Sequence, residues 1–456
     1  MKSLRLLLRF LTIGGLVLLL LIPLMMIRGT ISDRERYRAQ AVERVSQSMA
    51  GPQQVVGPLR VVPWRAVRKV NATNADGQPE IRDEVTEGYV YQTPKRLSID
   101  GGLKPDKRRI GLYDVRVFQL KAKIKAEFDA LPFTEVSGRV YGDPYVVLGV
   151  ADVRGFVGTP TLKMDGTPLA LEAGTGAMAD RMGGMHAMLA KSEIALPSSR
   201  LEMDLTLAGT QSLGIAPLGD SNHIALHSAW PHPLFGGRFL PNDRKIGADG
   251  FSASWEISSL ASAAQSQLAT KTGKLTRRDS SAYAETMPSD EPNNSALDSV
   301  DISLVDPVDV YTQADRASKY GILFVVLTFV GFALFELIKR LPIHPLQYLL
   351  VGLALAIFFL LLLSLSEHID FWKAYLISAV ACIGLQFVYL SGVLKSWLRA
   401  AGFATMLTAL YGVLYGLLVS EDNALLMGSL MLFGILAVIM WVTRKVDWYD
   451  LSASLR

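Results

Sequence analysis

The order of apolar and polar positions divides this chain into stretches of different kinds. Five long apolar runs follow one another over residues 321–338, 346–364, 371–390, 400–419 and 424–442, and a sixth, 10–27, stands alone near the start. Each is close to the roughly 20 residues that a helix rising 1.5 Å per residue needs to cross a bilayer. Between Arg28 and Lys319 the sequence is of a different kind, and from Val55 its period changes to two. Leu120, Ala122, Ile124, Ala126 and Phe128 alternate with Lys121, Lys123, Lys125 and Glu127, the signature of a strand with one wet face. Leu201, Met203, Leu205 and Leu207 alternate in the same way, and so do Phe251, Ala253, Trp255 and Ile257. Asp165-Gly166 and Asp249-Gly250 are hairpin-turn signals. The pattern predicts a multi-pass α-helical membrane protein of six spans. A large β-rich, mainly antiparallel domain, sandwich-like or built of stacked sheets, lies between spans 1 and 2.

The expected parts are an N-terminus with the first span (1–27), the β-rich domain (28–319), a five-helix bundle (320–442) and a tail (443–456). Ser32-Asp-Arg-Glu35 has the form of a capping box that starts a helix. Tyr37, Ala41, Val42, Val45 and Met49 continue it at helical spacing, and Gly51-Pro52 stops it. A helix packed on the soluble domain is preferred here over one lying on the membrane surface. Residues 261–299 are rich in Ser, Ala and Thr and read as a mobile loop with little that could bury a core.

Composition agrees with the membrane class: 456 residues, 50% hydrophobic, mean hydropathy +0.28. A net charge of +4 gives no argument for nucleic acid, but the positions of the charges matter. Lys2, Arg5 and Arg9 precede the first run; Lys339 and Arg340, Lys395 and Arg399, and Arg444 and Lys445 follow the second, fourth and sixth. The short loops 367–370 and 420–423 carry no Lys or Arg. The positive-inside rule therefore places both termini in the cytoplasm and the β-rich domain in the periplasm. Trp448 and Tyr449 suit an interfacial anchor. The first run is read as a retained anchor, because Met25-Met-Ile-Arg28 offers no small-x-small cleavage site. The single cysteine, Cys382, falls inside an apolar run, so the β-rich domain contains no disulfide.

Candidate chemistry is sparse. There is no Gly-x-Ser-x-Gly elbow, Walker loop or His-Glu-x-x-His helix. His223 and His227 share a strand face about 13 Å apart, too far for one metal. With His232 they read as satisfied surface or turn histidines. Met178, Met182, Met185, His186 and Met188 form a soft-donor cluster that could hold Cu(I). Gap filling by methionine is the preferred reading. Within the apolar runs, Glu336 lies near an inner end, while the middles hold only neutral Ser378, Gln386, Thr405, Thr408 and Ser429. Gly321, Gly331, Gly352, Gly384, Gly412, Gly416, Gly428 and Gly434 suit close helix approach. No catalytic, cofactor-binding or metal residue is assigned. Trp230, Pro231, His232 and Pro233 form a rigid aromatic turn and are the candidate interaction surface, although plain packing explains such a turn as well.

Several blocks together resemble the CreD family of Gram-negative inner-membrane proteins, also called the colicin-tolerance family. They include His344-Pro-Leu-Gln-Tyr-Leu-Leu-Val-Gly-Leu-Ala-Leu-Ala356, Leu363-Ser-Leu-Ser-Glu-His368, Leu410-Tyr-Gly-Val-Leu-Tyr-Gly416 and Thr443-Arg-Lys-Val-Asp-Trp-Tyr449. In the β-rich part they include Ala229-Trp-Pro-His-Pro233, Phe239-Leu-Pro241 and Gly250-Phe-Ser-Ala-Ser-Trp-Glu-Ile-Ser258. The Met-rich stretch and the polar loop depart from the family pattern. The resemblance implies an inner-membrane protein tied to a two-component envelope or metabolic response, with effects on envelope integrity and on tolerance of colicins or β-lactams. It brings no catalytic residue and no cofactor. The expected function is non-catalytic envelope maintenance, with the lipid bilayer and a periplasmic or envelope component as partners. A transporter or lipid-handling protein using the five-helix bundle is the alternative. Oligomeric state is not legible in the sequence.

Overall fold

In a computed structural model of the chain, the alternating stretches form strands and the long apolar runs form helices. The structure describes residues 2–73, 79–133, 139–180, 182–190, 195–269, 297–304, 310–339, 343–394, 396–419 and 424–444. Arg340, Lys395, Lys445, Trp448, Tyr449 and loop 420–423, which carry part of the orientation reading, lie outside those residues, as does most of the polar loop (270–296). Two compact units emerge: Met1–Tyr37 with Val308–Arg456, and Arg38–Pro307.

The second unit is built on two sheets. Its first four strands are β1 (Gln53–Thr73), β2 (Pro79–Gln92), β3 (Arg96–Ile110) and β4 (Tyr113–Phe128). A nine-stranded sheet runs Glu172–Ala173, Gly183–Met188, Tyr145–Val150, β1, Ser212–Ile215, Val300–Leu304, Pro233–Gly237, with β2 and Arg139–Tyr141 attached to β1. An eight-stranded sheet runs Asp243–Gly247, Gly250–Ser258, Ser221–Ser228, β3, β4, Ser199–Thr210, Thr161–Met164, Thr167–Leu169. Most described pairings are antiparallel. The sheets are nonetheless mixed, because Ser212–Ile215 lies parallel to β1 and Ser221–Ser228 parallel to β3.

Register follows the period-two pattern. Leu120 pairs with Leu207, Ile124 with Met203 and Ala126 with Leu201, while on the wet face Lys123 meets Asp204 and Lys125 meets Glu202. The inward residues of both sheets share one core, in which Ile99, Leu120, Leu205 and Trp255 meet Val55, Leu148, Ile215 and Ile302. That is the expected sandwich. The nine-stranded sheet is also covered on its outer face. Val56, Leu59, Val61 and Val147 pack there with Met178, Met182, Ala264, Leu268 and Leu297. The ends of the stretch read as unable to bury a core thus contribute three side chains to one. Asp165 (φ 49°) and Gly166 (φ 83°) make the expected type I′ turn. In the other hairpin Gly247 pairs with Gly250, so the turn residues are Ala248 and Asp249, one place earlier than read.

No helix starts at Ser32. One helix, α1 (Lys2–Ser48), runs unbroken through the capping-box motif. Gly29 alone is too weak a breaker to interrupt the i→i−4 ladder, so Ser32 never becomes a first residue. Near its end Ala41, Val42 and Val45 are buried against Val115 and Val117 of β4. The last carbonyls are capped from far away. Arg154 donates to Ser46 O at 2.9 Å and also to Gln47 O. Asp152 holds Arg154 in place and accepts from the Gly51 N–H at 3.0 Å.

The remaining helices are α2 (Ala264–Ala269), α3 (Val310–Lys319), α4 (Gly321–Lys339), α5 (Pro345–Ser366), α6 (Phe371–Val393), α7 (Trp397–Val419) and α8 (Ala424–Thr443). Among the described residues, α1 from Leu11, α5, α6 and α7 are long and apolar enough to cross a membrane. The pair α3 and α4, bent by 44°, makes a fifth if counted as one span. Close approach through glycine holds at Gly352, where an added Cβ would meet Leu20 Cδ1 at 2.1 Å, and at Gly331 against Met406. At Gly384, Gly412 and Gly434 it does not hold, since open space surrounds each.

Candidate functional site

The neutral polar residues foreseen in the apolar runs separate into two groups. Thr405, Thr408 and Ser429 are exposed on the bundle and donate to carbonyls of their own helices at 2.9 Å. Ser378 and Gln386 are buried, on the same stripe of α6 as Tyr375 and Cys382. This stripe is the centre of a polar seam between α5, α6 and α7. The Tyr375 hydroxyl donates to Tyr411 O at 2.6 Å, and the Tyr411 hydroxyl donates to Cys382 Sγ at 3.1 Å. Gln386 Nε2 also donates to that sulfur at 3.4 Å, and the thiol donates to Ala354 O at 3.3 Å. Aromatic rings enclose the seam, with Phe358 edge-on to Tyr375 at 5.4 Å and to Tyr411 at 4.7 Å. Ser378 Oγ and Gln386 Oε1 are buried without a hydrogen-bond partner. A hydroxyl, an amide and a thiol in this arrangement could bind and orient neutral groups, and among the described residues no acid or base adjoins the sulfur.

A second cluster lies where α4 ends and α5 begins. Thr12, Ile13, Glu336, Ile343, His344, Pro345 and Tyr348 line a cavity of about 280 Å³. The Tyr348 hydroxyl donates to Glu336 Oε2 at 2.7 Å. His344 caps α5: its Nδ1 accepts from the Leu346 N–H at 3.2 Å, and Gln347 accepts in return from the His344 N–H. That bond leaves the proton of neutral His344 on Nε2. At the other end of α5, Glu367 pairs with Arg34 at 3.3 Å, and Asp315 pairs with Arg28 and Lys319.

The candidate turn Trp230-Pro231-His232-Pro233 lies in the β-rich unit. The indole Nε1 donates to His232 O at 2.8 Å, Arg116 stacks 4.3 Å over the ring, and one side of the indole rests on the sandwich core. Pro233 begins a strand, and His232 is exposed. The turn is therefore held firmly, as a packing turn or a contact turn would be.

The methionines divide between two cores. Met185 enters the sandwich, while Met178 and Met182 pack on the outer face, where Met182 Sδ occupies the space beside Gly149. His186 lies against Tyr145 and Glu172, and Met188 is exposed. His223 pairs with Glu256, and His227 lies over Gly102.

Sequence reasoning missed the roles of Cys382, Tyr375, Tyr411 and Tyr348. The available signal was the i, i+4, i+8 spacing of Ser378, Cys382 and Gln386 in an apolar run.

A buried cation in the β-rich unit was also missed. Arg60 is 2% exposed, donates to Ser199 Oγ and to the carbonyls of Pro197 (2.9 Å) and Asp129 (3.4 Å), and lies over Phe128. Burial pulls its pKa down to about 10, and the field of Asp165 opposes this only partly.

Apolar helices of this number and length, joined to a folded β-rich insert, define a multi-pass membrane protein. The family profile described as Inner membrane protein CreD matches residues 5–449. The inner membrane protein CreD of Escherichia coli (strain K12) is 36% identical over 441 residues, covering 96% of this chain and 92% of that protein. The chain belongs to the CreD family of inner membrane proteins. Solved structures of an M1 zinc metallopeptidase from Deinococcus radiodurans overlap 36% of this chain and 38% of their own. Their identity is 9% and their TM-score 0.20, too low to bear on fold or function.

Proposed function

We propose that this chain maintains the bacterial envelope without catalysing a reaction. In this reading six spans cross the inner membrane, both termini are cytoplasmic, and the β-rich domain stands in the periplasm, where it meets an envelope component. Family membership supports the envelope role, and the Lys and Arg positions in the short loops support the orientation. The Trp230 turn supports the contact role: its indole is anchored by Arg116 and its own chain, leaving His232 outward on a rigid base. Partners are the lipid bilayer and that envelope component; nucleic acid is not among them.

One observation favours a second reading, a transporter or lipid-handling protein. Ser378 Oγ and Gln386 Oε1 are buried inside the bundle without partners, where a neutral hydrogen-bonding guest would satisfy them.

Complementation of a deletion strain separates the two. The full chain and residues 1–318 are each scored for tolerance of detergent, β-lactam and colicin. Rescue by residues 1–318 supports the contact role of the β-rich domain. Rescue by the full chain only, lost again in a Ser378→Ala, Gln386→Leu double variant, supports the bundle. Absence of any sensitivity in the deletion strain rejects the envelope role.

A further inference from the structure

β3 and β4 form a hairpin that reaches past the neighbours flanking it in the sheet. Ser221–Ser228 follows β3 as far as Leu103, and Ser199–Thr210 follows β4 from Val117 onward. The two strands themselves stay paired out to Ile110 opposite Tyr113, and Gly111 (φ 61°) and Leu112 close the turn. The projecting part is seated on α1. Val115 and Val117 are buried against Ala41, Val42 and Val45, with Ile110 and Tyr113 packed alongside. The direction of the hairpin follows from Thr210, which lies opposite Val117. Its N–H donates to Gly51 O at 3.1 Å and its hydroxyl to Ala50 O at 2.6 Å. Val117 is therefore level with the end of α1, and the hairpin beyond it runs back along that helix. From Val117 to Leu112 the strand spans about 17 Å, which matches about 11 residues of helix. The tip is thus level with about Gln40. From Gln40 back to Ile27, where the first apolar run ends, α1 rises about 20 Å.

The projecting part is basic. From Lys104 to Arg116 it carries Lys104, Lys107, Arg108, Arg109 and Arg116 against Asp106 and Asp114. Arg108 pairs with Asp106 at 3.4 Å, and Arg116 stacks on Trp230. Lys107 lies directly opposite Arg116 in the ladder. Like charges so placed repel, and a layer of anions beside them relieves the repulsion. Lys104, Lys107, Arg108 and Arg109 are all exposed, and Leu112 at the tip is 41% exposed. The polyanion that α1 itself brings near is a bilayer containing acidic lipids. Its headgroup layer extends roughly 5–8 Å beyond the hydrocarbon, so about 12–15 Å separates it from the tip when the helix stands upright.

We propose that the tip of the β3–β4 hairpin rests on anionic lipid headgroups of the membrane that α1 crosses. Spanning helices tilt by roughly 0–40°, and a lean of α1 toward the hairpin narrows the gap. Long Lys and Arg side chains cover much of what is left, and their charges act over about a further 8 Å at physiological salt. The hairpin then braces α1 on one side and sets the direction of its lean. This contact goes beyond the envelope role; it rests on α1 as a span, whichever side of the membrane the β-rich unit occupies.

The test uses full-length protein carrying a nitroxide at Leu112→Cys, Cys382 being buried. It is placed in nanodiscs of phosphatidylcholine alone or mixed with phosphatidylglycerol, each with the same small fraction of lipid bearing a nickel chelate on its headgroup. Relaxation of the label by the nickel is expected to be severalfold stronger in the anionic discs and to decline as salt is raised. Adding Lys104→Glu and Lys107→Glu should abolish the difference between the two lipids. Lys107→Glu sets an acid opposite Arg116, so the ribbon itself is not weakened. Equal relaxation in both discs would overturn the proposal, as would a difference that survives the charge reversal. A label untouched by nickel in either disc would do the same and would leave the basic tip to an acidic protein.

Discussion

Buried polar groups are handled differently in the two units. In the β-rich unit they tie together segments far apart in sequence. Asn222 donates to the carbonyl of Ile257, 35 residues away, and also closes a local turn by donating to Gly219 O and accepting from the Gly219 N–H. Gln53 reaches Asp152 and Ala208, and Thr210 donates to Ala50 O at 2.6 Å. In the helical unit most hydroxyls return to a carbonyl three or four residues back, as in Thr328 to Phe324 and Ser366 to Leu363. Among the described residues, Tyr348, Tyr375, Tyr411 and Cys382 make hydrogen bonds from one helix to another. Polar groups thus fix one arrangement of the β-rich unit, while the helices are held mainly by packing, with a seam at Tyr375, Cys382 and Tyr411.

The contrast predicts a ranking of effects. Asn222→Ala removes three buried hydrogen bonds to backbone groups and should cost about 3 kcal/mol. Faster amide exchange in Ser221–Ser228 and its neighbours would register the loss; unchanged exchange would mean that these bonds do not hold the sheet. Arg154→Ala removes the distant cap of α1 and should cost about 1–2 kcal/mol, visible as fraying of residues 45–48 in the same experiment. The double variant Ser378→Ala, Gln386→Leu should change the bundle by less than about 1 kcal/mol, or raise its melting temperature, because it removes unsatisfied atoms. A loss as large as that at Asn222 would reveal a resident guest and erase the contrast. The smallest effect concerns pH. Burial pushes the Asp152 carboxyl up, but hydrogen bonds from Arg154 and the Gly51 N–H outweigh it and hold the pKa below the ordinary value. Its stabilisation is therefore present above about pH 4 and lost as pH falls through the lowered value, by less than about 1 kcal/mol. Protection factors at residues 45–51, taken relative to the intrinsic exchange rate at each pH, should fall on acidification in the parent and not in Asp152→Asn.

How much was legible follows from the range of the interactions. Period-two alternation in β4 and Ser199–Thr210 reports local burial, so both strands and their wet faces were readable. The apolar runs were readable for the same reason. Strand order was not, because pairings such as β3 with Ser221–Ser228 join segments that share no local signal. The false start at Ser32 shows the opposite failure: a correct local motif is silent inside a helix already under way. Of the candidate site, Ser378 and Gln386 were visible as polar residues in an apolar run. Their burial, and the fact that Thr405 and Thr408 point outward, depended on packing partners that one sequence does not reveal.

The strand Val300–Leu304 lies between Ser212–Ile215 and Pro233–Gly237. Both neighbours leave the ribosome well before it does. During synthesis the nine-stranded sheet therefore waits open, with two unfilled edges, until the chain has almost returned to its helices. Closure of the domain and arrival of the second helical segment are thus nearly simultaneous events. A chain that ends before residue 300 would leave those edges unpaired, with their backbone groups open to other chains.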